Sequence, residues 1–466
     1  MEALASGEDA AAVIARHVAR FGYADLPAAV VAATKSSILD TLGCILAGSG
    51  APEAAPIVDL VADRAGRPAA TVIGQGLRVP AESAVLANAA TIHQYDFDDT
   101  HDTAICHPTS ATLIPALALG EQIGGVGGRE LITAVALGND LVSRTALAIR
   151  GRLVDYVWFR APVVGMFGAS AAACKVAGAS AEQVADAFGL VLPMIGGTLS
   201  SLQHSGSQVR AIRDGLSYRS AVLAAELALR GVRGDREVME GPYGYYRAYF
   251  RGEYDRAQLV DDLGVRFEGA NVSLKPWPAI RHLHRTLSCI ADLQAEHRLA
   301  FDDIERVTVH VGRINADRCR LVEMGSIPAL RMDLLANLPF VVGTMILQGG
   351  VPLAVYRDAR LADDVIARAM PKVRVVQDDA LDGAWTLEPA KVAIATRGGK
   401  TLHRERRIGK GHPEDPMSRA EQEAKFRDCA SVARRPVPER VIASVLSGVD
   451  ALETIADVRE LTALLA

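Results

Sequence analysis

The sequence predicts a mainly α fold with an α+β second domain, and three observations predict it. Residues 8 to about 266 read almost throughout as amphipathic or buried helices. Three stretches beyond residue 300 alternate apolar and polar side chains with the period of a strand. The last residues return to helical spacing. A chain of 466 residues exceeds one ordinary core, so more than one domain is expected. The expected layout is a helical domain over 1–269, an α+β domain over 270–405, and a C-terminal segment, 406–466, that returns to the helical domain.

Each element has a local reason. "PAAVVAATKSSILDTLGCILAG" repeats apolar residues at helical spacing and meets a stop at Gly48. "SATLIPALALGEQIG" and "GRELITAVALGNDLVSRTALAI" read the same way, while "GMFGASAAACKVAG" carries the small residues that let helix backbones approach closely. "ATVIG", Ala70 to Gly74, is a short strand within this half. Further on, "IERVTVHVG", "KVRVVQD" and "KVAIATRGGKTLHRERRI" are strands, the last with a hairpin signal at Gly398–Gly399. "LLANLPFVVGTMILQGG" interleaves as a helix, and "PMSRAEQEAKFRDCA" opens the helical tail.

Composition narrows the function. A formal net charge of −5 argues against a nucleic-acid binder, although a local basic pocket for an anion is compatible with it. The six cysteines are scattered with no C-x-x-C pair, which fits reduced thiols better than disulfides or a zinc cluster. The N-terminus lacks the basic start and apolar run of a secretory signal, and no uninterrupted apolar span reaches roughly 20 residues. The expectation is a cytoplasmic protein that engages no membrane. "RGGKT" fails as a phosphate loop because Ile394 stands where its first glycine belongs. "GGVGGRE" is read as a helix connection, and nothing points to a nucleotide cofactor.

One constellation survives. "HQYDFDDTHDTAICHP", His93 to Pro108, gathers three histidines and several aspartates. Its spacing matches neither a zinc-protease motif nor a calcium loop, so no metal is expected. A polar turn with one aspartate capping a helix near Ser110 is one reading; a proton-transfer loop is the other. Cys106 is taken as loop packing. "KPWPAIRHLH" adds Lys275, Arg281, His282 and His284 beside two stiffening prolines, and "SGSQVRAIRDGLSYR" places Arg210 and Arg213 at helical spacing. Imidazoles together with several cations suggest a pocket for a substrate with more than one carboxylate.

"HQYDFDDTH…HP", "ILDTLGCILAG", "EGPYGYY", "KPWP…H" and "GHPEDPMSRAEQEAKF" together resemble the MmgE/PrpD family, in order over nearly the whole chain. That family includes 2-methylcitrate dehydratases, cis-aconitate decarboxylases and iminodisuccinate epimerase. The resemblance implies a large helical domain built from both chain ends, a smaller inserted α+β lid domain, and a homodimer with no metal or organic cofactor. Carried over by motif, it implies catalytic roles for Asp96, Thr100, His107 and His284, with Lys275 at the start of the second motif. His107 comes one residue late relative to some members. Arg210 stands where the family often has lysine, and Phe159, beside Arg160, where it often has histidine.

The expected chemistry is formation of a carbanion beside a carboxylate in a small di- or tricarboxylate. Arg210, Arg213, Lys275 and Arg281 are expected to hold the substrate, with His101 as a further contact. His107 and His284 are expected on opposite faces of it, and Asp96 as an acid, base or orienting group whose pKa Asp98 and Asp99 raise. A hydro-lyase is the leading expectation, an epimerase of an imino- or aminodicarboxylate the second, and a decarboxylase the third. A non-catalytic carboxylate-binding protein is the alternative from another class.

Overall fold

The structure, a computed structural model, describes residues 7–151, 155–202, 207–319, 331–382 and 387–466. Helix accounts for 61% and strand for 9%, as the mainly α reading requires. The start of the Arg210 stretch, 205–206, lies outside the described residues.

The helical part is built on six long helices. Ala28–Ser49, Ala81–Ile92, Pro108–Ile123, Gly128–Leu147, Arg160–Val176 and Val209–Leu229 pack on one another around an aliphatic core. Ala28–Ser49 runs one residue past Gly48 and stops at Gly50. By length and composition this helix could cross a membrane. Two-thirds of its most apolar window is buried, however, and it packs against Ala81–Ile92 and Arg419–Ser431 as a core helix. The small residues act as the sequence suggests where Gly128–Leu147 meets Arg160–Val176. A Cβ on Gly168 would lie 2.3 Å from Val142 Cγ2 and 2.6 Å from the Gly138 carbonyl oxygen. β1, Ala70–Val72, pairs antiparallel with β2, Leu77–Val79.

Beyond residue 300 a four-stranded sheet forms in the order β4-β3-β5-β6, from β3 (Ile304–Val311), β4 (Val373–Gln377), β5 (Ala390–Thr396) and β6 (Thr401–Arg406). β3 and β4 are parallel, with Val309 opposite Val375. β3 with β5 and β5 with β6 are antiparallel, the latter as the expected hairpin with Gly399 at φ +81°. Val307, Val309, Val392 and Ile394 point to the buried face, which the helices His284–His297 and Leu338–Gln348 cover. The tail helix Arg419–Ser431 leaves this sheet and packs on Ala28–Ser49, at the start of the chain.

Candidate active site

The Ala81–Ile92 helix ends in a tight turn, His93–Tyr95, and then Asp96 takes the left-handed conformation (φ 47°, ψ 42°). Asp tolerates that region better than most residues. Ile105, a β-branched residue at φ 49°, is the stronger outlier, and both line the same cavity. The segment between them is pinned to the second motif by an antiparallel bridge. The Thr100 amide donates to the Ser273 carbonyl at 2.9 Å, and the Ser273 amide to the Thr100 carbonyl at 2.7 Å. Two stretches more than 170 residues apart thus become one wall.

That bridge sets Lys275 against Asp96. The Lys275 ammonium donates to the Asp96 carboxylate at 2.6 Å and to its carbonyl at 2.7 Å, while Arg210 Nη2 meets the other carboxylate oxygen at 2.8 Å. Burial would raise the Asp96 pKa, but Lys275, His93 and Arg210 outweigh it and hold the carboxyl well below the usual range. The expected rise from Asp98 and Asp99 is therefore overturned. Cations surround Asp96 more closely than its acidic neighbours do, so its proton is not available as an acid near neutral pH.

Asp98 lies fully buried between two imidazoles. His93 Nδ1 is 3.1 Å from one oxygen and His107 Nδ1 is 3.2 Å from the other. His107 Nδ1 is also 2.7 Å from the Asp99 carbonyl oxygen, which can only accept, so Nδ1 carries the hydrogen and Nε2 the lone pair. Burial, the largest influence, keeps His107 below its ordinary pKa, so its ring is a neutral base. Among the described residues, His93, Asp98 and His107 form the one group with metal-ligand spacing. His107 Nδ1 is committed as a donor to the Asp99 carbonyl, so only Nε2 of that ring keeps a lone pair.

Asp99 turns away from the cavity. It accepts from Thr109 Oγ1 at 2.5 Å at the start of the Pro108–Ile123 helix, and burial pushes its carboxyl up to about 7. The capping reading therefore applies to Asp99, whose carboxylate also lies 3.4 Å from the Thr109 amide. Cys106 is fully buried with its thiol pushed up to about 12 by burial, as an inert packing residue would be.

Several residues of this stretch face a cavity of about 480 Å³. Its described lining includes His93, Asp96, Thr100, His107, Arg210 and Arg213, and it also takes in Phe159, Arg160, Arg281 and His282. Four arginines against two aspartates, Asp96 and Asp317, make the lining cationic. Arg213 stacks on the Phe159 ring at 3.8 Å, and Arg160 donates to the Ala146 carbonyl at 2.6 Å. Arg281 lines the cavity while its fork is held by Asp102 at 2.8 and 2.9 Å.

Three sequence-predicted residues are elsewhere. His101 accepts from the Ala104 amide and sits 3.6 Å from Glu268, outside the lining, because its backbone turns back to bridge Cys106. Lys275 is fully buried beneath Asp96 rather than open to the cavity. His284 is fully buried at the start of its helix, with Nε2 3.2 Å from the Ala279 carbonyl, and of this motif Ile280, Arg281 and His282 line the cavity instead. The picture of His107 and His284 flanking a substrate is not what the geometry gives.

Two family models match in sequence, the MmgE/PrpD N-terminal domain over residues 12–257 and the MmgE/PrpD C-terminal domain over 277–449. The chain belongs to the MmgE/PrpD family. Its relatives include the cis-aconitate decarboxylase-like protein oryM of Aspergillus oryzae, 26% identical over 95% of this chain and 94% of that protein. Human cis-aconitate decarboxylase is 23% identical over 94% of this chain and 90% of its own. The mouse protein of the same name is 22% identical over 94% and 89%.

Within this MmgE/PrpD chain, sequence reasoning passed over His93 and Arg160 as site residues. His93 stood in the quoted stretch, but only the fold shows that Asp98 binds it in parallel with His107. Arg160 sits next to Phe159, the position flagged as a departure, and that adjacency was the available signal.

Proposed function

We propose that this chain is a lyase that breaks a bond next to a carboxylate in a small di- or tricarboxylate. One observation carries the reading: the cavity joins a neutral imidazole, His107, to four arginine side chains. Its volume suits a ligand of citrate size. Arg210, Arg213, Arg160 and Arg281 would hold carboxylates and the negative charge that develops on the enolate. His107 Nε2 would exchange a proton with the α carbon, Asp98 would steady its ring, and Asp96 with Lys275 would fix the position of Arg210.

Two cleavages share that carbanion. Decarboxylation, the activity in the relatives' names, is the first reading, supported by similarity along nearly the full length of both chains. The bond to one carboxylate breaks, carbon dioxide leaves, the electron pair of that bond stays on the α carbon, and that carbon takes a proton from solvent relayed through His107 Nε2. Dehydration is the second reading, supported by the resting state of His107. A neutral base is ready to abstract a proton while a hydroxyl leaves on the adjacent carbon.

The test is incubation in heavy water with a panel of citrate-like, aconitate-like and aspartate-like acids. Carbon dioxide release with deuterium in the product supports decarboxylation, and loss of water without carbon dioxide supports dehydration. Exchange with inversion alone would replace both with an epimerase. No exchange or turnover on any acid would remove the lyase reading.

A further inference from the structure

The motif "GHPEDPMSRAEQEAKF" has as its next-to-last residue a lysine, Lys425, that does not line the cavity. Lys425 lies buried on the tail helix, and its ammonium has three N–H donors. All three have an oxygen in reach: Asp40 Oδ1 at 2.5 Å, the Phe97 carbonyl at 2.7 Å and the Lys275 carbonyl at 2.9 Å. The same ammonium stands 3.8 Å above the Phe97 ring. The acceptors come from three remote segments: the Ala28–Ser49 helix, the residue after Asp96, and the residue that itself holds Asp96.

We propose that Lys425 is a positioning residue that clamps the Phe97 and Lys275 backbones together and so sets the left-handed geometry of Asp96 in the cavity wall. The arrangement is a two-lysine relay. Lys425 fixes the main chain of Lys275, and the Lys275 side chain fixes Asp96, which aligns Arg210. Asp40 supplies the counter-charge that a buried ammonium needs. A point-like ammonium can aim three donors at oxygens around one centre. The planar fork of arginine cannot.

The test uses the full chain with Asp40→Asn and Lys425→Met combined, so that no buried charge is left unpaired. Hydrogen–deuterium exchange then reads the Thr100 and Ser273 amides, whose bridge lies beside the clamp. Exchange is expected to quicken at least about tenfold in peptides covering 96–101 and 273–275, with β3–β6 unchanged. Unchanged protection in those peptides would overturn the proposal, and so would global unfolding of the double variant. A second arm rests on the lyase reading. On whichever acid the wild type turns over, kcat is expected to fall about 100-fold, with KM within about threefold. Faster local exchange with an unchanged kcat would overturn the positioning role. If the wild type turns over no acid, the lyase reading fails and the exchange arm alone decides the clamp.

Discussion

His107 shows how one side chain is prepared by its neighbours. The Asp99 carbonyl claims the Nδ1 hydrogen, with the Asp98 carboxylate 3.2 Å from the same atom, and Nε2 is left as the base. Because burial lowers its pKa, His107 stays neutral below the usual histidine range near 6.5. The acid limb of kcat/KM is therefore expected below pH 6.5, and a limb above pH 7 would refute the assignment. His107→Gln is expected to lower kcat by roughly 10²–10⁴-fold with the fold intact. Asp96 has the opposite logic. Its folded-state pKa is depressed, so the stability it contributes is present above about pH 4 and is lost as pH falls through the folded value. Asp96→Asn leaves the buried Lys275 without its anion and is expected to cost about 3–5 kcal/mol at pH 7. Urea titrations should show the gap from wild type shrinking as pH drops below about 4, because protonated Asp96 also carries no charge.

At the scale of elements, the site depends on how closely the helices approach. The Gly128–Leu147 and Arg160–Val176 helices cross at Gly138 and Gly168, and the second of these helices begins with Arg160 at the cavity. Gly168→Ala would drive a methyl into Val142 and into the Gly138 carbonyl, so the two backbones would have to separate. The expected cost is about 1–3 kcal/mol by thermal or urea unfolding. A neutral result would mean that the contact is looser than the geometry shows. The helix ends were readable in advance to within a residue or two, as at Gly48 and Gly50, because apolar spacing and stop residues act locally. The sheet strands were equally readable, since alternation in β3 maps directly onto its buried valines.

Over the whole molecule, the two ends of the chain meet. Arg419–Ser431 packs on Ala28–Ser49, where the Phe426 ring fills the space beside Gly43, and Lys425 reaches the Phe97 carbonyl next to Asp96. Deleting 419–466 is expected to abolish a cooperative thermal transition by circular dichroism, since it uncovers the first core helix. A truncated chain that still melted cooperatively would show the tail to be dispensable. The sequence by itself determined the class of fold, the strands and most helices, the family, and the two motifs that make the cavity wall. Those rest on periodicity, stop residues and residue types, which act over a few positions. Only the tertiary structure decided which of the charged residues face the cavity. It turned His101 toward Glu268, sank Lys275 and His284 behind the wall, and brought His93 and Arg160 forward. It also reversed the expected shift at Asp96. The reason is physical: charge effects in a buried site are set by distance through space. The cations nearest Asp96 come from residues 210 and 275, which no spacing within its own loop reveals.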